Sequence, residues 1–193
     1  MSINLTKGQK ISLTKEGGGA LSAVVMGLGW DAKKKRGFLG FGGGDQEIDL
    51  DASCVLFDSQ QNMVDVVWFR QLRSQDGSIL HTGDNRTGQG DGDDEQIVVQ
   101  LDQVPTHVQS LVFVVNSFTG QNFSQIESAF CRLIDKNTGK EVAKYNLSSG
   151  GPHTAQVMAK VYRHNGEWKM HAIGELSSGR TFQDLLPAMK ANL

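Results

Sequence analysis

Cysteine and proline are scarce in this chain of 193 residues, with two cysteines and three prolines against 23 glycines. One pair of cysteines is no disulfide framework. No apolar run comes near the roughly eighteen residues that a membrane span needs. The N-terminal Met1-Ser2-Ile3-Asn4-Leu5-Thr6-Lys7 lacks the hydrophobic stretch of a signal peptide, so a soluble cytoplasmic protein is expected. An excess of either charge is also missing, since 19 basic and 21 acidic residues leave a net of −2. That balance excludes a generically basic nucleic-acid binder. With 38% apolar and 21% charged residues, the chain can build a core and carries too little charge to be disordered. Its length suits one domain, taken as 1–193.

What is present is glycine-punctuated, β-branched sequence. Short apolar runs predict strands at 11–14, 21–28, 52–58, 64–72, 96–101, 111–116, 130–135, 142–147, 157–164 and 168–173. Asn165-Gly166 between two of them favours a type I′ hairpin turn, and Asp76-Gly77 and Asn137-Thr138-Gly139 suit longer ones. Short strands in this number with little helical pattern indicate an all-β, two-sheet β-sandwich with long Gly/Asp-rich loops at one end. One short C-terminal helix is expected after Thr181, with Asp184 completing its cap and Phe182, Leu185, Leu186 and Met189 on one apolar face. Pro187 limits its length, and it is read as a lid over one end of the sandwich.

An internal echo links two of the strands. Ala52-Ser53-Cys54-Val55-Leu56-Phe57-Asp58 and Ala129-Phe130-Cys131-Arg132-Leu133-Ile134-Asp135 share Ala-x-Cys-x-Leu-x-Asp. Period-2 geometry puts Ala, Cys, Leu and Asp on one face of each, as expected of equivalent strands in facing sheets. Cys54 and Cys131 then read as small buried hydrophobes and not as reactive thiols.

The charge is unevenly spread. Residues 31–95 carry thirteen acids and seven bases, a net of −6, which leaves the remainder at +4. The densest stretch is Gly83-Asp84-Asn85-Arg86-Thr87-Gly88-Gln89-Gly90-Asp91-Gly92-Asp93-Asp94-Glu95, where five carboxylates face one arginine. A second, Asp45-Gln46-Glu47-Ile48-Asp49-Leu50-Asp51-Ala52-Ser53, runs into a strand, and Asp31 closes Gly27-Leu28-Gly29-Trp30-Asp31. Two carboxylates about 5 Å apart repel by roughly 3 kcal/mol at an effective dielectric of about 20. Such loops favour a divalent cation among them. Calcium takes six to eight oxygen ligands, which carboxylates, amides, hydroxyls and loop carbonyls supply. Zinc, copper or iron would want several His or Cys, and His81 is the one such residue near this cluster. His81 itself reads as the end of a strand. The spacing is not that of an EF-hand: counted from Asp49, Cys54 stands where Gly belongs and Gln60 where Glu belongs, and counting from Asp91 puts Gln96 at the Gly position. Ligands must therefore come from several loops.

These motifs resemble the TerD family of tellurite-resistance and stress-response proteins over nearly the whole chain. The resemblance rests on Gly27–Asp31, on Asp49-Leu50-Asp51-Ala52-Ser53 and above all on the ordered string from Gly83 to Glu95. Asn116-Ser117-Phe118-Thr119-Gly120-Gln121-Asn122-Phe123 and Tyr162-Arg163-His164 add to it. It implies a calcium-binding β-sandwich with two adjacent Ca2+ ions and no established catalytic activity. Carried over by position, the ligand suppliers are Asp31, Asp49, Asp51, Asp84, Asn85, Asp91, Asp93, Asp94 and Glu95. Expected partners are other tellurite-resistance or stress proteins and an anionic membrane surface, with no nucleic acid. The loop at 33–44, with Lys33, Lys34, Lys35, Arg36, Phe38 and Phe41, is longer than in many relatives and reads as an insertion or a membrane hook.

No nucleophilic constellation emerges. Gly-x-Ser-x-Gly, His-Glu-x-x-His and a phosphate-loop lysine are all absent from the sequence. A calcium-dependent interaction module is thus the first reading, and no enzyme is expected. The alternatives are a two-metal phosphoester hydrolase built on the same carboxylates and a calcium-bridged peripheral membrane binder.

Overall fold

The computed structural model describes residues 2–15, 18–32, 48–83, 92–147 and 151–193. The first half of the chain forms β1 (Ile3–Leu5), β2 (Lys10–Ser12), β3 (Ala23–Ala32), β4 (Leu50–Asp58), β5 (Met63–Val67) and β6 (Ile79–His81). The second half forms β7 (Glu95–Gln100), β8 (Val108–Ser117), β9 (Ile126–Asp135), β10 (Glu141–Asn146), β11 (Ala155–His164), β12 (Glu167–Ser177) and the helix α1 (Phe182–Lys190). They assemble as two six-stranded sheets, β1-β10-β9-β3-β7-β6 and β2-β12-β11-β8-β4-β5. Neighbours run antiparallel except β1, which pairs with β10 in parallel.

Alternation decides what each strand buries. Val24, Met26, Leu28 and Trp30 of β3 turn inward, as do Leu111, Phe113 and Val115 of β8, into a core shared by both sheets. The Ala-x-Cys-x-Leu echo falls where period 2 places it. Ala52, Cys54 and Leu56 enter this core from the second sheet, and Ala129, Cys131 and Leu133 enter it from the first. Burial pushes the Cys131 thiol up to about 12 and raises Cys54 as well, so both stay as neutral thiols.

The second sheet is buried on its outer face too. Val55 and Phe57 of β4, Val112 and Val114 of β8 and Val157 of β11 turn away from the shared core and pack under Phe182, Leu185 and Met189 of α1. This explains why residues 54–57 of β4 and 111–115 of β8 are continuous apolar runs and not alternating ones. It also corrects the expected position of the helix, which lies on the outer face of the second sheet against β8, β11 and β12 and does not close an end of the sandwich. The stripe of large apolar residues at helical spacing is spent on that contact. At the helix start, the Asp184 carboxylate accepts from the Arg180 and Thr181 amides at 2.8 and 3.2 Å. The helix continues three residues past Pro187, because its packing on the sheet outweighs the backbone bond lost there.

Three further differences have local causes. β1 and β6 are three residues long, too short to show a period. The strand expected at 64–72 ends at Val67, where Trp68 and Gln71 exchange backbone hydrogen bonds of 3.0 and 2.9 Å across a tight turn. The Asn165-Gly166 turn is as expected, with φ of +51° and +80°, both in the left-handed region a type I′ turn requires. The Gly/Asp-rich segments at 33–47 and 84–91 lie outside the described residues.

Truncating the helix at its most buried point gives a direct test of this third layer. Leu185→Ala is expected to cost about 2–5 kcal/mol, read as a lowered urea midpoint with an unchanged m-value. A loss below about 0.5 kcal/mol, the size of a surface substitution, would mean that α1 is not docked as described.

Candidate functional site

The site is organised around the outward face of β3. Leu28 and Trp30 point into the core, so Gly27, Gly29 and Asp31 point away from it. The two glycines leave that face bare, and the segment that opens β7 folds back across it. The Asp93 carboxylate lies where a side chain on residue 27 would begin, and the Phe130 ring and the Gly92 carbonyl come within 2.5 and 2.7 Å of the equivalent point on residue 29. Backbone pairing continues past the strand end: the Asp94 N–H donates to the Leu28 carbonyl at 2.8 Å, and the Trp30 N–H donates to the Asp94 carboxylate at 2.8 Å. The Gly-x-Gly of Gly27–Asp31 is thus a docking strip for the acidic segment.

Four carboxylates at this end have distinct surroundings. Asp93 takes its hydrogen bonds from Arg132 Nε at 2.7 Å and Gln96 Nε2 at 3.0 Å, and Arg132 also reaches Glu141 at 3.5 Å. Its bond to Asp93 holds Arg132 above the usual guanidinium range. Asp94 is half-buried; loss of water raises its carboxyl, the Trp30 amide offsets part of that, and Asp31 and Asp93 raise it further. Asp31 is exposed and accepts from Ser128 Oγ at 2.6 Å. Glu95 turns the opposite way, into the space between the sheets. It is 1% exposed, accepts from the Ala52 N–H of β4 at 2.6 Å, and lies 3.4 Å from His81 Nε2. β5 pairs with β4 only from Cys54 onward, and Glu95 takes up the Ala52 amide while tying the two sheets together. His81 ends β6, as its sequence context implied, and its Nδ1 accepts from the Gly83 amide at 3.2 Å.

The second acidic stretch enters from the other sheet. The Trp30 indole N–H donates to the Ile48 carbonyl at 2.9 Å, which fixes where that chain joins β4. Ile48, Leu50 and Ala52 fill the core, which leaves Asp49 and Asp51 on the opposite side, with Asp51 opposite Asn116 of β8. The structure therefore brings Asp31, Asp93 and Asp94 together and places Asp49 and Asp51 across the Trp30–Ile48 contact. Asp84, Asn85 and Asp91 lie outside the described residues, as does the basic loop with Lys33 to Arg36. Among the described residues no group of three or more His, Cys, Asp or Glu side chains is arranged to hold a metal. No helix among them is long and apolar enough to cross a membrane. Arg132 as the counter-ion of Asp93, and Glu95 as the tie to Ala52, were not legible in the sequence. The one available signal was period 2 on β9, which sets Arg132 on the face away from Cys131 and Leu133.

The two-sheet sandwich is a fold shared with known proteins. A homologue of the telluride resistance protein TerD from Streptomyces coelicolor matches with a TM-score of 0.69 at 20% identity, over 89% of this chain and 98% of that one. The family described as the TerD domain matches residues 1–187. The chain is similar to the tellurium resistance protein TerZ of Serratia marcescens, 51% identical over 95% of this chain and 94% of that protein. It is also similar to the tellurium resistance protein TerD of Serratia marcescens, 41% identical over 93% of each. The stress response protein SCP2 of Bacillus subtilis is 40% identical over 96% of this chain and 98% of its own length. The chain belongs to the TerD family.

The glycine strip yields a coupled test. Gly27→Ala drives a methyl group into the Asp93 carboxylate, so it is expected to lower Tm by several degrees. Asp93→Ala removes the obstructing atoms, so the double variant should be no less stable than Asp93→Ala alone. Fully additive losses would contradict the docking of residues 92–94 on β3.

Proposed function

We propose that this chain is a tellurite-resistance or stress-response protein of the TerD type that works as a calcium-dependent interaction module. The observation that carries the reading is the meeting of Asp31, Asp93 and Asp94 from segments more than sixty residues apart, at the end where Asp49 and Asp51 also arrive. The donors fit a hard cation: they are carboxylates, joined by the Ser128 hydroxyl. Asp31 and Asp94 on the outer face of the first sheet, and Asp49 and Asp51 on the outer face of the second, are the proposed suppliers of calcium ligands, with Asp84, Asn85 and Asp91. Asp93 and Glu95 build the site, the first by anchoring its segment to Arg132 and the second by tying β7 to β4. Bound calcium supplies positive charge that offsets carboxylate repulsion, and two ions are expected. Ions bound at this end of the sandwich would fix the glycine-rich segments, so that calcium level sets whether a partner surface exists. Partners of this reading are other tellurite-resistance or stress proteins, and an anionic membrane reached through Lys33 to Arg36.

Calorimetry on chelator-treated protein tests it. Calcium should bind with about two ions per chain and in preference to magnesium. Binding to the folded state alone adds about 2.7 kcal/mol at a hundred times Kd, which appears as a raised Tm. Asp31→Asn with Asp94→Asn should remove both the heat and the Tm increase. Absence of calcium heat together with an unchanged melting curve overturns the reading.

A further inference from the structure

The second sheet carries a basic patch on its outer face, beyond the area that α1 covers. β2 is its edge strand and lies beside β12, which lies beside β11. In register, Lys10 stands opposite His171, and His171 stands opposite Lys160. One step along, Ser12 stands opposite Lys169, and Lys169 stands opposite Tyr162. Ile11 of β2 and Met170 of β12 pack inward, so these six side chains share the outer face. Directly opposed residues of antiparallel strands have their Cβ atoms about 4.5–5.5 Å apart, so Lys10 and Lys160 flank His171 on either side, and the charge of Lys10 acts on Lys160 across it.

Among the described residues no carboxylate forms an ion pair with the patch. The ion pairs among the described residues are His81–Glu95, Arg132–Asp93 and Arg132–Glu141, all elsewhere. Lys160 is only 8% exposed, yet its Nζ meets two neutral partners, the Asn192 carbonyl at 2.5 Å and the Tyr162 ring at 5.0 Å. The acids of β12 on this side stand toward its ends. Glu167 is opposite His164, and Glu175 accepts from Asn192 Nδ2 at 2.5 Å. Burial and the facing lysines lower the affinity of His171 for a proton, and burial and Lys10 do the same to Lys160. A row of solvated surface lysines would not include one buried almost completely beside another cation.

We propose that this face binds a phosphate-class anion, with Lys10, His171 and Lys160 supplying one row of donors and Ser12, Lys169 and Tyr162 the next. Ammonium groups, an imidazole N–H and hydroxyl groups all donate to anionic oxygens, and among the described residues the carboxylates on this side, Glu167 and Glu175, stand at the margins of the two rows. The site is on the flank of the sandwich, separate from the acidic end, and does not depend on calcium. The same chemistry would recognise free phosphate or the headgroup of an anionic lipid.

The test is run in chelator at constant ionic strength, so that the acidic end takes no part. Titration with inorganic phosphate, followed by NMR, should give saturable shifts centred on Lys10, Lys169 and His171, with the His171 titration midpoint moving upward as the anion offsets its neighbours. Lys10→Gln with Lys169→Gln should weaken binding by about tenfold or more while leaving Tm unchanged. Sedimentation with phosphatidylcholine vesicles, with and without phosphatidylglycerol, separates the sources. Capture by the anionic vesicles alone identifies a headgroup, and phosphate binding without capture identifies a soluble ligand. The proposal is overturned if neither probe binds, or if the double variant binds as tightly as the native chain.

Discussion

The acidic end of this protein depends on one contact, the seating of residues 92–94 on the side-chain-free outer face of β3. Glycine at 27 and 29 permits it, because any Cβ there would occupy the space of the Asp93 carboxylate, the Phe130 ring or the Gly92 carbonyl. The backbone bonds Asp94 to Leu28 and Trp30 to Asp94 then hold the segment in register. Two carboxylates that would repel one another are kept side by side because Arg132 neutralises one and the Trp30 N–H donates to the other. Electrostatic cost is thereby concentrated at one end, where a hard cation would relieve it.

The two sheets serve this end differently. The first carries the strip and its counter-ion, while the second brings in Asp49 and Asp51 and is stiffened from behind by α1. Glu95 and Trp30 are the cross-ties, one to the Ala52 amide and the other to the Ile48 carbonyl. A charge asymmetry also runs through the molecule. Acid collects at the strand ends, and base collects on the flank formed by β2, β12 and β11, so the two proposed ligands of opposite charge would have separate surfaces.

The sandwich was legible because period 2 and turn chemistry are local properties. The Asn165-Gly166 hairpin and the paired Ala-x-Cys-x-Leu strands followed from them directly. The position of α1 was not legible, because its apolar stripe says that it is buried but not against which surface. The continuous apolar stretches 54–57 of β4 and 111–115 of β8 held the missing information, since a stretch that is apolar at successive positions is covered on both faces. At the candidate site, the ordered string ending in Asp93, Asp94 and Glu95 marked the right segment but treated its acids alike. Their division into an anchored Asp93, a half-buried Asp94 and an inward Glu95 depends on Arg132 and Ala52, which are distant in sequence and meet them only in the folded sheets.

Hydrogen exchange at two amides tests the central claim most directly. The N–H of Asp94 and the N–H of Trp30 report the seating of the acidic segment, and the amides of β8 report the core. Adding calcium to chelator-treated protein should slow exchange at Asp94 and Trp30 markedly more than in β8. Equal exchange at both amides with and without calcium would contradict the account.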